Sequence, residues 1–438
     1  MFWSIFLVAL PAVHAALIPS VHDHNDESHA VSSRLPDTWY QPDDHPVHAL
    51  FKRGAPGDGT NYPAVGSPTW SSAYPVTSPD VNQLPKEWVN ALNAAVSAGK
   101  IPNIPQSSNT PGVNPVYPAG SDPNGQQVCS ATYKCRIPGD IWDGPTGTFS
   151  ISFDDGPTPV SSTLLQFLQA HNEIATHFVI GVNILQNPQV FQDIINAGHD
   201  IAVHTWTHPY MTTLSNLEIL GQLGWTTEII RNSTGGRVPK YWRPPFGDSD
   251  ARVRAIAQEV FGLTTVIWNS DTEDWSLTSG GTTQSQIRDS FIKWLTAPSK
   301  TPGIVTLEHE LSTESVTAFM NNYPMIQPNG WQTGSLARLI GSSVYQNSKD
   351  PNSPVALAGI VVGASTPSAG NSSASGTSST SQSSQTQTTT SSTSTGNGNQ
   401  SSQTSNAALV SRDIPWNLAY ILIAFCAPTL TAMVSILA

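Results

Sequence analysis

The chain has 438 residues, a formal net charge of −12 and only 11% charged residues, with 35 prolines and 32 glycines unevenly spread. An acidic chain without a Lys/Arg cluster is not built to neutralise phosphates, which excludes nucleic acid as a partner. Its length allows a large core and more than one segment of distinct character.

In chain order, residues 1–15 (MFWSIFLVALPAVHA) are apolar and end in the small-residue pattern Val13-His14-Ala15. That layout is a secretory signal peptide, although no basic residue precedes the apolar run. Residues 16–80 are polar and Pro-rich, with no sustained period of 2 or 3.6, and predict a segment without regular structure. Five histidines fall there, His22, His24, His29, His45 and His48. They read either as a solvated acidic tail or as a metal-binding tract. Lys52-Arg53 resembles a dibasic processing site, which makes residues 16–53 a pro-segment.

Residues 81–147 form an extension with one helix over 85–99, where Pro85 stands at the start, Gly99 past the end, and Trp88, Leu92, Ala95 and Val96 share a face. Cys129 and Cys135 lie six apart, and a secreted chain is exposed to oxidising conditions. They are expected to pair as a disulfide; no second Cys or His pair nearby suggests zinc. The third cysteine, Cys426, lies in the C-terminal apolar tail.

Residues 148–363 alternate β-rich apolar runs with helix-like runs. The strands are expected at Phe149–Phe153, Thr176–Ile180, Ile201–His204, Leu263–Trp268 and Ile304–Leu307. The helices are expected at Ser162–Ala170, Pro188–Ala197, Leu214–Arg231, Asp250–Phe261 and Gln284–Leu295. Repeated βα units imply an α/β fold with a parallel sheet, either open and doubly wound or closed, and seven or eight units suit a barrel better. Residues 364–405 are almost entirely Ser, Thr, Gln, Gly and Asn, a composition that cannot bury a core and reads as an O-glycosylated stalk. Residues 406–438 combine small residues, a polar spacer and a terminal apolar stretch, the pattern of a GPI-anchor signal with attachment at Ser405 or Asn406. A transmembrane helix is the alternative; the absent basic flank and Pro428 argue against it. Asn232, Asn371 and Asn399 begin N-glycosylation sequons.

In parallel βα architectures the site lies at the carboxyl ends of the strands. Asp154 and Asp155 follow the first strand directly, and His204 and His208 (HTWTH) follow another. Fully extended, the two imidazoles would sit about 13 Å apart. On a helical turn they would share a face and could meet one ion. Position 205 is Thr, so the H-E-x-x-H protease pattern lacks its base. Two histidines and one carboxylate leave open positions on a metal, so one aspartate can ligate while the other serves as a base. Further strand ends carry RPPFGD (Arg243–Asp248), DTEDW (Asp271–Trp275) and LEHEL (Leu307–Leu311).

SFDDGP, HTWTH, RPPFGD, DTEDW and LEH, in this order, resemble the five motifs of the polysaccharide deacetylases, carbohydrate esterase family four, in versions most similar to fungal chitin deacetylases. The resemblance covers residues 148–363. It implies a distorted (β/α) barrel and metal-dependent removal of N-acetyl groups from N-acetylglucosamine polymers. It implies Asp155, His204 and His208 as ligands of a divalent ion, zinc foremost, with cobalt or manganese as alternatives. Asp154 would be the general base, oriented by Arg243, and His309 the general acid, tuned by Asp274. The backbone N–H of Phe246 would hold the oxyanion, at a position where most relatives have Tyr. Trp275 and Leu307 would wall the acetyl pocket.

Asp271, Glu273 and Glu308 read equally as outer members of the site or as simple solvated or capping residues, and Asp248 could cap the helix near Asp250. Trp206 and Trp242 could stack on sugars or lie in the core. The sequence therefore predicts a monomeric, secreted, GPI-anchored or cell-wall enzyme that converts chitin to chitosan. The alternatives are a deacetylase of xylan or peptidoglycan and a non-catalytic glycan-binding wall protein. A glycoside hydrolase ranks last, because adjacent carboxylates on one strand do not readily flank a scissile bond.

Overall fold

The computed structural model describes residues 56–110 and 113–363. The expected signal peptide, the five N-terminal histidines, Lys52-Arg53, the expected Ser/Thr stalk, Asn371, Asn399, Ser405, Asn406 and the apolar tail lie outside the described residues. Among the described residues no helix is long and apolar enough to cross a membrane.

The expected strand Phe149–Phe153 is two strands, β1 (Thr148–Ser150) and β2 (Ser152–Gly156), divided at Ile151. Phe149, Ile151 and Phe153 are fully buried in a cluster with Leu164, Phe291 and Phe319 from surrounding helices. The alternate residues Ser152 and Asp154 meet Arg243 instead. This is the period-2 pattern of a strand with helices behind it and a polar site in front. At Ile151 the segment changes one neighbour. Its N–H donates to Gly334 of β9 (Gln332–Gly334), and its carbonyl accepts from Thr176 of β3 (Thr176–Val179).

On its other side β8 (Ile304–Leu307) runs beside β1, and the residues just past β8 run beside β2. From β3 the sheet continues in parallel through β4 (Asp200–Val203), β5 (Tyr241–Trp242) and β6 (Thr264–Thr265). The chain then passes to β7 (Ser270–Asp271), which pairs with β8. The parallel strands thus close on themselves. Six strand segments make the ring and β9 is wedged beside β1, fewer than the seven or eight units expected. The segments 148–156 and 264–271 each supply two short strands to that ring, β1 with β2 and β6 with β7.

The five helices expected between residues 148 and 363 fall within two residues of expectation, from Ser161–Ala170 to Gln284–Leu295, while Gly181–Gln186 and Thr313–Asn322 are helices that were not expected. The extension helix, α1 (Lys86–Ser97), buries Trp88, Leu92 and Ala95, while Val96, expected on the same face, is exposed. The Trp88 ring lies edge-on to Trp225 and Phe261. A Cβ at Gly224 would come within 2.5 Å of that ring, so the helix Asn216–Ser233 needs glycine there.

Residues 56–80 correct the expectation of a structureless N-terminal segment. Trp70 is buried with its indole N–H on Ser233 Oγ, and Tyr74 stacks on Trp206, whose own indole donates to the carbonyl of Thr77. Each such ring removes roughly 150–250 Å2 from water, on the order of 4–6 kcal/mol in transfer terms. Isolated aromatic anchors on irregular backbone carry no period, so sequence patterning does not register them. Cys129 and Cys135 are disulfide-bonded. Asn232 sits on a helix with its amide donating to Tyr74 Oη and Glu228 Oε1, bonds that a glycan at this sequon would have to displace.

Candidate active site

Adjacent strand residues normally point to opposite faces, so two neighbouring aspartates should not reach one site. A bulge resolves this. The pairing of β2 with β3 shifts register between Asp154 and Gly156, and Asp155 takes φ +72°. The left-handed turn brings Asp155 to the same rim as Asp154, and Asn183 holds it by donating to the Asp155 carbonyl at 2.8 Å. Gly156 must be glycine, because a Cβ would lie 2.0 Å from Glu310 Oε1.

HTWTH is neither extended nor helical. Thr205 (φ +66°) and His208 (φ +59°) are left-handed, and the His208 N–H closes the turn on Thr205 Oγ1. The imidazole centroids come to 5.0 Å. Gln222 clamps the turn by accepting the N–H groups of Trp206 and Thr207, a role no sequence signal singled out. Trp206 and Trp242 are both fully buried, which places them in the core. Non-glycine residues with positive φ recur at Phe246 (+58°) and Glu273 (+56°) on neighbouring rim loops. Such conformations cost about 1–3 kcal/mol each and persist where surrounding structure imposes them.

Asp155, His204 and His208 each offer a ligand atom, all within 4.8 Å of one another. Nε2 of His204 and of His208 face Asp155 Oδ1 at 3.3 and 3.2 Å. His204 Nδ1 is 2.7 Å from the Arg243 carbonyl and must donate its proton there, which leaves Nε2 as the nitrogen that faces Asp155. Burial pushes the His208 imidazole down to about 4, although Asp155 opposes this. Burial works against an ionised Asp155, but the surrounding imidazoles outweigh it and hold the carboxyl well below its usual range. Two imidazole nitrogens converging on a carboxylate are a donor set that fits a divalent cation.

Two further pairs flank this triad. Arg243, fully buried, donates from Nη1 to Asp154 Oδ1 at 2.6 Å and from Nη2 to Ser152 Oγ at 3.1 Å. Asp274 takes the His309 backbone N–H on Oδ2 at 2.8 Å and faces its Nδ1 with Oδ1 at 2.6 Å. Burial disfavours the imidazolium, yet the charge and hydrogen bond of Asp274, helped by Asp155 and Asp154, push His309 up to about 10. A parallel bridge pairs Asp154 with His309, which sets the two side by side across the rim.

A cavity of about 510 Å3 opens over these groups, and Phe246, Trp275 and Leu307 also line it, as do Asp271 and Trp268. The Phe246 ring stacks on Tyr210 at 4.0 Å. Asp271 accepts the Glu273 N–H, and Glu273 is exposed. Glu308 is neither solvated nor a cap. It is buried, and that burial, with Asp274 nearby, raises its carboxyl well above the usual range. Below the rim Glu310, His177 and His199 form a fully buried column with contacts of 2.8 and 3.0 Å, which the motifs did not foreshadow.

The helix cap is Asp250, whose Oδ1 accepts the Val253 N–H; Asp248 instead accepts the N–H and hydroxyl of Thr212. Burial outweighs those bonds and pushes Asp248 up to about 7. A raised carboxyl pKa contributes stability that is complete below the ordinary carboxylate range and lost as pH rises through about 7. Asp248→Asn cannot ionise, so its melting temperature should fall less than the wild type's between about pH 5 and about pH 8, read by calorimetry.

The family model for polysaccharide deacetylases matches residues 143–266. Chitin deacetylase 3 of Cryptococcus neoformans var. neoformans is 38% identical over 341 residues, covering 76% of this chain and 80% of that protein. The chain belongs to the polysaccharide deacetylase family. A second family member, chitin deacetylase 1 of Saccharomyces cerevisiae, is 35% identical over 240 residues, covering 54% of this chain and 74% of that protein. The solved chitin deacetylase of Colletotrichum lindemuthianum aligns over 47% of this chain and 95% of its own, with 25% identity and a TM-score of 0.44.

Proposed function

We propose that this polysaccharide deacetylase hydrolyses the N-acetyl groups of chitin, giving chitosan and acetate, outside the cell and at the cell wall. The observation that carries the reading is the convergence of three ligand atoms between an Arg-held aspartate and an Asp-held histidine. A pure glycan binder has no use for that arrangement. The chitin assignment is supported by the named relatives and by a cavity whose lining includes no Lys or Arg, which suits an uncharged glycan.

Asp155, His204 and His208 would hold the divalent ion, with zinc as the foremost candidate and cobalt or manganese as alternatives. When bound, such an ion polarises the acetyl carbonyl and lowers the pKa of water. Asp154 takes the proton of the attacking water as its oxygen bonds to the acetyl carbon, with Arg243 fixing the carboxylate's orientation. The Phe246 backbone N–H stabilises the oxyanion, a role a Phe side chain leaves intact. The C–N bond then breaks, its electron pair going to nitrogen, and His309 supplies the proton that makes the amine a leaving group. Trp275 and Leu307 flank the acetyl group. Secretion, the Ser/Thr stalk and a GPI anchor at Ser405 or Asn406 complete the reading as a surface-tethered wall enzyme.

The test is mass spectrometry of defined chitin oligomers with native, EDTA-stripped and metal-reconstituted enzyme, with acetylxylan in parallel. Acetate release from the oligomers should vanish on stripping and return with a divalent ion. Full activity after verified metal removal, or release from acetylxylan alone, would overturn the proposal.

A further inference from the structure

The cleft is larger than the chemistry requires. Its volume is about 510 Å3, whereas a water molecule's share of liquid is about 30 Å3. An acetyl group of three heavy atoms therefore occupies a minor part of it. One wall is foreign to the barrel: Val113, Asn114, Pro115 and Thr132 come from the N-terminal extension, upstream of the residues the family model matches.

This wall is fastened at separate points. Ser108 and Val116 exchange backbone hydrogen bonds of 2.9 and 2.7 Å at the base of the arm. Ser107 bonds Thr212 through both backbone and hydroxyl, and Tyr117 Oη donates to Asp250. Arg254 donates to the carbonyls of Cys129 and Cys135, and the Ala131 N–H to Ser249, which seats the disulfide loop on the barrel. From that loop Tyr133 Oη donates to the Pro115 carbonyl.

The wall also belongs to a concentrated apolar surface. Of the eight large hydrophobic side chains exposed among the described residues, Val113, Val116, Phe246 and Trp275 lie in this cleft or on the arm that walls it. Exposed apolar groups gathered at one place mark a contact surface. The apolar face of a pyranose ring packs against such groups, while its hydroxyls can bond an amide such as Asn114.

We propose that Val113, Asn114, Pro115 and Thr132 form a subsite for a sugar unit beyond the immediate neighbour of the one being deacetylated, one that a dimer cannot reach, so that the extension sets how long a glycan the enzyme grips. The inference rests on the glycan deacetylase reading above and adds a specificity element to it. The test compares wild type with a Val113→Ala/Asn114→Ala double variant and with Thr132→Ala, all metal-loaded, on N-acetylglucosamine oligomers from dimer to hexamer. In the double variant the ratio of kcat/KM for pentamer to that for dimer should fall roughly 5- to 10-fold, through KM, with a smaller fall in Thr132→Ala. Calorimetry checks that the fold is kept. An unchanged ratio, or an equal loss at every length, overturns the subsite. Wild-type enzyme inert on every oligomer would overturn the chitin reading instead, and the subsite assigned within it.

Discussion

Asp154→Asn is expected to lower acetate release from chitin oligomers by roughly 10^2- to 10^4-fold, the usual contribution of a positioned general base. The replacement keeps size and shape, and Arg243 Nη1 can still donate to the remaining side-chain oxygen. Asp155, His204 and His208 are untouched, so the variant should bind as much divalent ion as wild type. Steady-state kinetics together with elemental analysis checks both halves. Activity near wild type would remove Asp154 from the mechanism. Loss of metal along with activity would make it a ligand rather than a base.

The second large effect concerns the acid. His309 must carry a proton when the amine departs; Asp274 accepts the Nδ1 hydrogen bond that favours this and fixes the residue by also accepting its backbone N–H. Its charge is the foremost of the influences that overcome burial and push the imidazole up to about 10. A bound divalent ion adds positive charge nearby, so the loaded enzyme's alkaline limit lies lower than that. Asp274→Asn removes the negative charge, and the alkaline limb of kcat/KM should move to lower pH, with activity about a hundredfold down at neutral pH and partly recovered in acid. A uniform loss at every pH, with an unmoved limb, would show that Asp274 only positions the ring.

Burial explains why the two pairs matter so much. Arg243 and Asp154 are both removed from water, and a buried charge left without its partner is typically penalised by about 3–5 kcal/mol. Each half of either pair is therefore held by the other, and truncating one to alanine would disturb geometry as well as proton transfer, which the isosteric Asp→Asn changes avoid.

The order of strands and helices was legible in the sequence because apolar period and helix-ending residues report local preference directly. So was the set of candidate site residues, which the structure gathers at one rim. Carboxylates, imidazoles and an arginine placed after strand ends have few other reasons to be there, and five such motifs in order point to one chemistry. The pairing of Cys129 with Cys135 was legible for the same reason, since six residues in an oxidised chain leave little choice.

What only the tertiary structure decided is how these groups meet. The register shift and positive φ at Asp155 bring two adjacent carboxylates to one rim, against the alternation a strand would impose. The left-handed turn at Thr205 and His208, clamped by Gln222, replaces the helical turn that i, i+4 spacing suggests. The ordered segment 56–80 and the arm at Val113–Pro115 depend on single aromatic anchors and on hydrogen bonds between residues far apart in the chain. A bulge, a strained turn and a docked loop are all imposed by distant contacts, and a linear pattern records local preference alone.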